Sequence, residues 1–292
     1  MADSTAQLPT VRIGTRQSVL AKIQAEGIRD TLQKRYPYKS FEVDAMRTLG
    51  DRDKITALYS FEGKNLWTSE LEEKLAAGKI DVIVHCLKDM PTSLPDDCEL
   101  AVIPARDDAR DALIIKAGLP HTSLQTLPEG AVVGTSSVRR AAQLRRLYPH
   151  LRFANLRGNV DTRLAKVDDP ESEYTCMIMS AAGLERMGLQ HRISQYLGSK
   201  DGGIYHALEG GCSVPIGAET EWVKRGTDEY SLRLRAIVVS LDGKTAVDDA
   251  LERVIKTNDE AEAFGHEMAE TLVKGGAKDI LQEIIANRPP KG

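Results

Sequence analysis

Cysteine is scarce in this chain. Cys86, Cys98, Cys176 and Cys212 stand far apart among 292 residues, with no C-x-x-C pair and no Cys/His metal spacing. A disulfide framework and a zinc ribbon are both excluded, no metal is expected, and a reducing, cytoplasmic compartment is the simplest inference. No apolar run approaches the length of a membrane span, and Met1 to Pro9 lack the apolar core of a signal peptide. Large net charge is missing too: Lys+Arg 39 against Asp+Glu 43 gives −4. A general nucleic-acid or anionic-membrane surface is therefore not indicated. Glycine-rich nucleotide signatures are absent: Gly134-Thr135-Ser136-Ser137 has no P-loop lysine, and there is no G-x-G-x-x-G. Internal repeats, heptads and low-complexity tracts are lacking as well.

What is present is an ordinary soluble composition, 41% hydrophobic and 28% charged, in a chain long enough for two or three domains. The first two thirds alternate strand and helix patterns. Val11–Gly14, Phe41–Ala45 and Ile80–His85 read as strands, the last as a fully buried parallel one. A helix runs to about Arg35, and Ser69-x-x-Glu72 reads as a capping box for another. The pattern then repeats. Strands are expected at Ala112–Ile115, Ala131–Val133, Leu151–Leu156 and Tyr174–Met179. Helices are expected at Val138–Tyr148, Asn159–Val167 and Ala181–Met187. Such alternation argues for parallel-sheet α/β domains. The end differs: Leu232, Leu234, Ala236 and Val238 alternate as an antiparallel strand, followed by helices from about Glu260 and from Lys278. The expected organisation is an α/β domain over 1–106, a second over 107–203 and a small α+β domain over 204–292.

Polar clusters fall where strands hand over to helices. They are Thr15-Arg16-Gln17-Ser18, His85-Cys86-Leu87-Lys88-Asp89, Gly134-Thr135-Ser136-Ser137-Val138-Arg139-Arg140, and Leu156-Arg157-Gly158-Asn159 with Arg163 downstream. Ligands of open α/β sheets collect beyond the carboxyl ends of strands, where helix N-termini favour anions. Arginine in a first helical turn opposes the helix dipole, so Arg139 and Arg140 suggest an anion there. Forked guanidiniums beside Ser and Thr donors suit carboxylates. Any one of these arginines taken singly reads better as a solvated surface residue; four equivalent hand-overs favour a cleft for a multiply carboxylated ligand.

Two further residues stand out. Asp89, in the turn after a strand, is a candidate for stabilising a cation or relaying a proton, and equally a local turn residue. Cys212 sits in Leu208-Glu209-Gly210-Gly211-Cys212-Ser213-Val214-Pro215, a loop able to present one thiol to a cleft. His85 reads as a satisfied core histidine.

In order, Thr15-Arg16-Gln17-Ser18, His85-x-x-Lys88-Asp89-x-Pro91, Gly134 to Arg140, Leu156-Arg157-Gly158-Asn159-Val160 and Leu208 to Pro215 resemble the porphobilinogen deaminase (hydroxymethylbilane synthase) family over nearly the whole chain. Lys64-Asn65-Leu66-Trp67 is similar to eukaryotic, fungal-like members. The resemblance implies two periplasmic-binding-protein-like α/β domains around a cleft, plus the small C-terminal domain. It implies a transferase of tetrapyrrole and heme biosynthesis, in which Cys212 holds a dipyrromethane cofactor through a thioether. Four porphobilinogen units lose ammonia in succession and hydroxymethylbilane is released. Lys88, Ser137, Arg139 and Arg140 would bind the cofactor, Arg16, Ser18, Arg157, Arg163 and Arg186 the substrate and growing chain, and Asp89 would be catalytic. A monomer with no nucleic-acid or membrane partner is expected.

The chain departs from the family in one place. Members carry a few dozen residues between the positions of Ala207 and Leu208, which are adjacent here. The missing part should include a strand of the first domain and a helix covering one face of the third domain's sheet, whose loss would bare apolar surface. A non-catalytic polyanion-binding protein and an inactive splice form are the competing readings.

Overall fold

A computed structural model of the chain describes residues 9–52, 67–90, 94–201, 204–205 and 214–286. Two compact units divide between Arg106 and Asp107. Among the described residues no helix is long and apolar enough to cross a membrane.

The first unit is built on a parallel sheet with strand order β2-β1-β3, where β1 is Thr10–Arg16, β2 is Ser40–Met46 and β3 is Val82–Ile83. Helix α1, Val19–Arg35, starts at Ser18, whose Oγ accepts from the Ala21 backbone N–H, and it ends with Lys34 and Arg35 at the negative end of its dipole. Its apolar side closes a core of Ile13, Ala25 and Phe41 with Val11, Leu32 and Val43. A short helix, α2, follows at Leu49–Arg52.

Two details differ from the sequence reading. Helix α3, Ser69–Ala76, has Thr68 at its N-cap with no side-chain cap bond, so Ser69 is its first helical residue and the expected capping box is not formed. The strand expected over Ile80–His85 shrinks to Val82–Ile83, half-buried rather than buried. Its place explains this: among the described strands β3 has only β1 beside it, and edge strands are kept short. After Asp96 the chain carries no regular element up to Arg110, and Leu100, Val102 and Ile103 are 48%, 72% and 59% exposed.

The second unit contains a five-stranded sheet of order β6-β5-β7-β4-β8. Its strands are β4 Asp111–Ile115, β5 Val132–Gly134, β6 Arg152–Ala154, β7 Cys176–Ser180 and β8 Gln195–Leu197. Strands β5, β6 and β7 are parallel as expected, but β4 runs antiparallel to both β7 and β8. Buried throughout, β4 shows the continuous apolar run that either direction produces, so its sense was not readable from composition. Helices α4 (Val138–Leu147), α5 (Val160–Asp168) and α6 (Ala181–Arg186) follow β5, β6 and β7. Leu113, Val133, Leu144, Ile178, Leu197 and Ile204 anchor the core.

The same unit holds an antiparallel sheet of β9 (Ile216–Lys224), β10 (Tyr230–Val239) and β11 (Ala246–Arg253), with helices α7 (Asn258–Lys274) and α8 (Ala277–Ala286). A complete capping box, Thr257 with Glu260, starts α7. Leu234, Ala236 and Val238 on one sheet face meet Phe264, Met268, Leu272, Ile280 and Ile284 of the two helices. The opposite face corrects an expectation, because it is not a bare apolar surface. Arg235 pairs with Glu219 and Glu221, Arg233 with Glu221 and Glu252, and Arg225 with Glu252. Farther along that face Ile237 and Val239 pack on Ala142 of α4, with Tyr205 and Ala246 alongside. Charge and a neighbouring helix cover what a missing helix was expected to uncover.

Candidate functional site

Parallel pairing sets the carboxyl ends of β5 and β6 side by side, Gly134 against Ala154, and the Thr135 N–H reaches the Ala154 carbonyl at 3.0 Å. The loops leaving these strands therefore share one sheet edge. Ser137 caps α4 by accepting from the Arg140 N–H at 3.4 Å. The first turn of α4 then places Arg139 and Arg140 over the edge, with Arg157 on the next loop. All three are buried, at 5%, 7% and 7% exposed. Because β4 is antiparallel, its first residue, Asp111, lies at this same edge opposite Ser180.

Asp111 is the residue that sequence reasoning missed. Its Oδ1 accepts from Arg140 Nη2 at 2.6 Å and its Oδ2 from Arg139 Nη2 at 2.9 Å. Burial alone would push this carboxyl's pKa up, but Arg140 and Arg139 outweigh it and hold the group well below the usual carboxylate range. Arg140 also reaches the Ile178 carbonyl, and Arg139 Nη1 donates to the Tyr205 carbonyl at 2.6 Å. Gln143, one turn along α4, accepts from the Tyr205 N–H at 2.8 Å. The sequence carried only a faint signal: an acid opening an apolar strand, with its partners 28 and 29 residues downstream.

Arg163 donates from Nε to the Gly158 carbonyl at 2.6 Å. Gly158 has φ +124, and a Cβ there would press on Thr162 at 3.0 Å, so this turn after Arg157 needs glycine. Arg186, last in α6, pairs with Asp107. The structure thus brings Ser137, Arg139, Arg140, Arg157 and Arg163 to two neighbouring loops and leaves Arg186 at the far end of its helix.

In the first unit the equivalent edge carries Arg16 at the end of β1, Ser18 just after it, and Lys88 and Asp89 after β3. Arg16 is half-buried: its Nε donates to Asp51 Oδ2 at 3.2 Å, and its guanidinium carbon lies 4.0 Å from the Trp67 ring centre. Burial raises the pKa of Asp51, and donation from Arg16 and Thr48 more than reverses that, leaving it lowered. Lys88 and Asp89 belong to a one-turn 3-10 helix, Leu87–Asp89, rather than a simple turn. Lys88 is exposed and Asp89 half-buried, and among the described residues they do not pair. His85 is not the satisfied core histidine expected: its Nδ1 lies 3.2 Å from the Cys86 carbonyl, and its buried Nε2 has no partner among the described residues.

Cys212 and the junction at Ala207-Leu208 lie outside the described residues. Their flanks are described: Tyr205 is gripped by Arg139 and Gln143, and the Pro215 carbonyl accepts from Val239 N–H at 3.1 Å. Of the other thiols, Cys86 and Cys98 are half-buried, while Cys176 is buried and its pKa is pushed up to about 12. Among the described residues no group of three or more His, Cys, Asp or Glu could hold a metal. The donor set at the second unit's edge is forked guanidiniums, a hydroxyl and a helix N-terminus, all suited to carboxylates.

Comparison with known proteins gives two family matches. "Porphobilinogen deaminase, dipyromethane cofactor binding domain" matches residues 11–225, and "Porphobilinogen deaminase, C-terminal domain" matches residues 204–274. Among curated relatives, the porphobilinogen deaminase of Neurospora crassa is 45% identical over 334 positions, covering 98% of this chain and 97% of its own. That of Yarrowia lipolytica is 43% identical, covering 97% and 95%, and that of Saccharomyces cerevisiae 41%, covering 96% and 98%. The first match has 334 positions against 292 residues here, so at least 42 of them are unfilled by this chain. A solved structure, the periplasmic aliphatic sulphonate binding protein SsuA from Escherichia coli, overlaps 64% of this chain and 56% of its own at 14% identity; its TM-score of 0.33 carries no argument.

Proposed function

The chain belongs to the porphobilinogen deaminase family, and from that premise we propose that it deaminates porphobilinogen and joins four units into hydroxymethylbilane on a dipyrromethane held by Cys212. The observation that carries this reading is the buried arginine edge: Arg139 and Arg140 share one buried carboxylate, Asp111, and Arg157 is buried on the next loop. Such an edge is built for a ligand with several carboxylates, and each porphobilinogen unit brings two. Arg139 also fastens Tyr205, seven positions before Cys212 in the chain. On the other side, only Ser213 separates Cys212 from Val214, two peptide steps that span about 7 Å at full extension.

When bound, the dipyrromethane supplies the pyrrole carbon to which substrate is joined. The residues of the chain do the rest. On this reading Ser137, Lys88, Arg139 and Arg140 would hold its acetate and propionate groups, and Arg16, Ser18, Arg157 and Arg163 those of substrate, with Arg186 joining them only by leaving its partner Asp107. Asp89 carries a negative charge into a half-buried place, where it stabilises the positive charge that develops on substrate as ammonia departs. The same carboxylate assists transfer of a proton to the departing amine, which leaves as ammonia.

We assign the unfilled positions to the Ala207-Leu208 junction, since the motifs on both sides of it read continuously. We also propose that the chain acts in the cytosol as a monomer, its separated cysteines being suited to a reducing compartment.

Intact mass and porphobilinogen turnover test the function, measured on this chain and on one with the missing segment restored. A mass increment of one dipyrromethane and formation of hydroxymethylbilane are expected, with higher turnover in the restored chain. No adduct and no porphobilinogen consumption in either would overturn the proposal. Equal turnover in both would show the segment to be dispensable.

A further inference from the structure

The second unit holds a basic groove far from the catalytic edge. It lies at the opposite, amino end of β6, between the last turn of α4 and the β10–β11 hairpin, and has a volume of about 510 Å³. Arg145 and Arg146 come from α4, Arg152 from β6 and Lys244 from the hairpin; Asp242 is the one acid of the lining. Asp242 lies 3.5 Å from Lys244 and Glu173 4.0 Å from Arg152, so the cations outnumber the acids beside them four to two, in a chain whose net charge is −4. The last turn of a helix welcomes cations, which accounts for Arg145 and Arg146; Arg152 and Lys244 converge on them from other elements.

The groove is also rigid. Gly243 has φ +77 and sits against α4, where a Cβ would lie 2.8 Å from the Arg146 nitrogen and 3.1 Å from the Ala142 carbonyl. Only glycine lets the hairpin approach the helix this closely. Arg145 donates from Nη1 to the Leu241 carbonyl at 2.7 Å, and its guanidinium carbon lies 5.0 Å from the Phe153 ring centre. One of its five donors is thus used in fixing the fork over an aromatic floor. Asp242 is turned into its own hairpin: Oδ1 accepts from Ser240 Oγ at 2.6 Å and from the Lys244 N–H at 3.0 Å, and Oδ2 lies 3.5 Å from Lys244 Nζ. Asp242 thus shapes the hairpin and offsets one of the four positive charges, leaving the lining net positive.

We propose that this groove is a second anion site, which binds a small molecule carrying two or more clustered phosphates or carboxylates. The volume lies within the range of small-molecule pockets, about 300–1,000 Å³. Because its walls come from α4 and from the β10–β11 hairpin, an occupant ties the two sheets of this unit together and stabilises the unit.

Titration with tripolyphosphate and with citrate, followed by calorimetry and thermal melts at low and physiological salt, tests this. Binding that raises the melting temperature and weakens with salt is expected. Lys244→Glu and Arg146→Glu, both exposed and able to fold, should each weaken it about tenfold. Arg157→Leu should leave it unchanged. Preference for tripolyphosphate assigns the ligand to phosphates, and preference for citrate assigns it to carboxylates. Failure of both probes to bind below about 10 mM overturns the proposal. So does binding abolished by Arg157→Leu yet indifferent to the two groove variants, which would put the anion at the catalytic edge.

Discussion

Replacing Asp111 by Asn keeps the shape of the side chain and removes the only buried carboxylate between Arg139 and Arg140. Both guanidiniums would remain buried, at 5% and 7% exposed, without the carboxylate that they share in the wild type. Breaking a buried pair by removing one partner costs about 3–5 kcal/mol. For a unit of this size that lowers the melting temperature by roughly 6–20 °C. The pH dependence has a definite sign. The Asp111 carboxyl has a depressed pKa in the folded chain, so its contribution is fully present above the unfolded value near 4 and is lost as pH falls through the lower folded value. Wild type should therefore lose stability below pH 4 more steeply than Asp111→Asn, and the two melts should converge in acid. A variant that melts within about 0.5 kcal/mol of wild type at pH 7, with an unchanged acid slope, would refute the clamp.

Asp89→Asn in chain already bearing the cofactor should lower turnover by about a hundredfold or more while the melt stays unchanged; near-normal turnover would make Asp89 a turn residue only. Peptide mapping should find the pyrrole adduct on Cys212, and brief alkylation of folded, cofactor-free chain should leave Cys176 unmodified, since burial raises its thiol pKa to about 12. Rapid labelling of Cys176 would contradict its burial. Val102→Lys, at a side chain 72% exposed, should shift stability by less than about 0.5 kcal/mol and reduce binding of a hydrophobic dye. Unchanged dye binding would mean that the Leu100–Ile103 segment is covered in solution.

Local signals were readable in the sequence, and non-local pairings were not. Ser137 announced α4, the Thr257/Glu260 box lay just ahead of the expected α7, and the alternation of Leu232 to Val238 marked β10. These depend on residues within a turn or two of each other. The sense of β4 depends on which strands flank it, and its buried residues look alike in either direction. Asp111 was invisible for the same reason: its two partners are brought to it by the sheet, not by spacing. The ionic face of the third sheet was half visible. Arg233 and Arg235 alternate with the core residues of β10, but only the register with Glu219, Glu221 and Glu252 turns three exposed charge rows into a covering. The expected Ser69 capping box shows the converse, a local motif displaced by one residue in the helix that formed.

Helix α4 does three things along ten residues. Its first turn holds the Arg139–Asp111–Arg140 clamp, its middle seats Ala142 against Ile237 and Val239, and its last turn is pressed by the hairpin at Gly243. It behaves as a shaft with a bearing at each of these points. A twist of about 20° about the helix axis would swing a guanidinium that reaches about 6 Å from it through roughly 2 Å. A displacement of about 1 Å near reacting groups can cost on the order of a hundredfold in rate. A bulkier residue at Ala142, remote from the substrate carboxylates, would thus detune the arginine edge by torque. The seating of the small antiparallel sheet on this shaft sets the aim of the arginines at its other end.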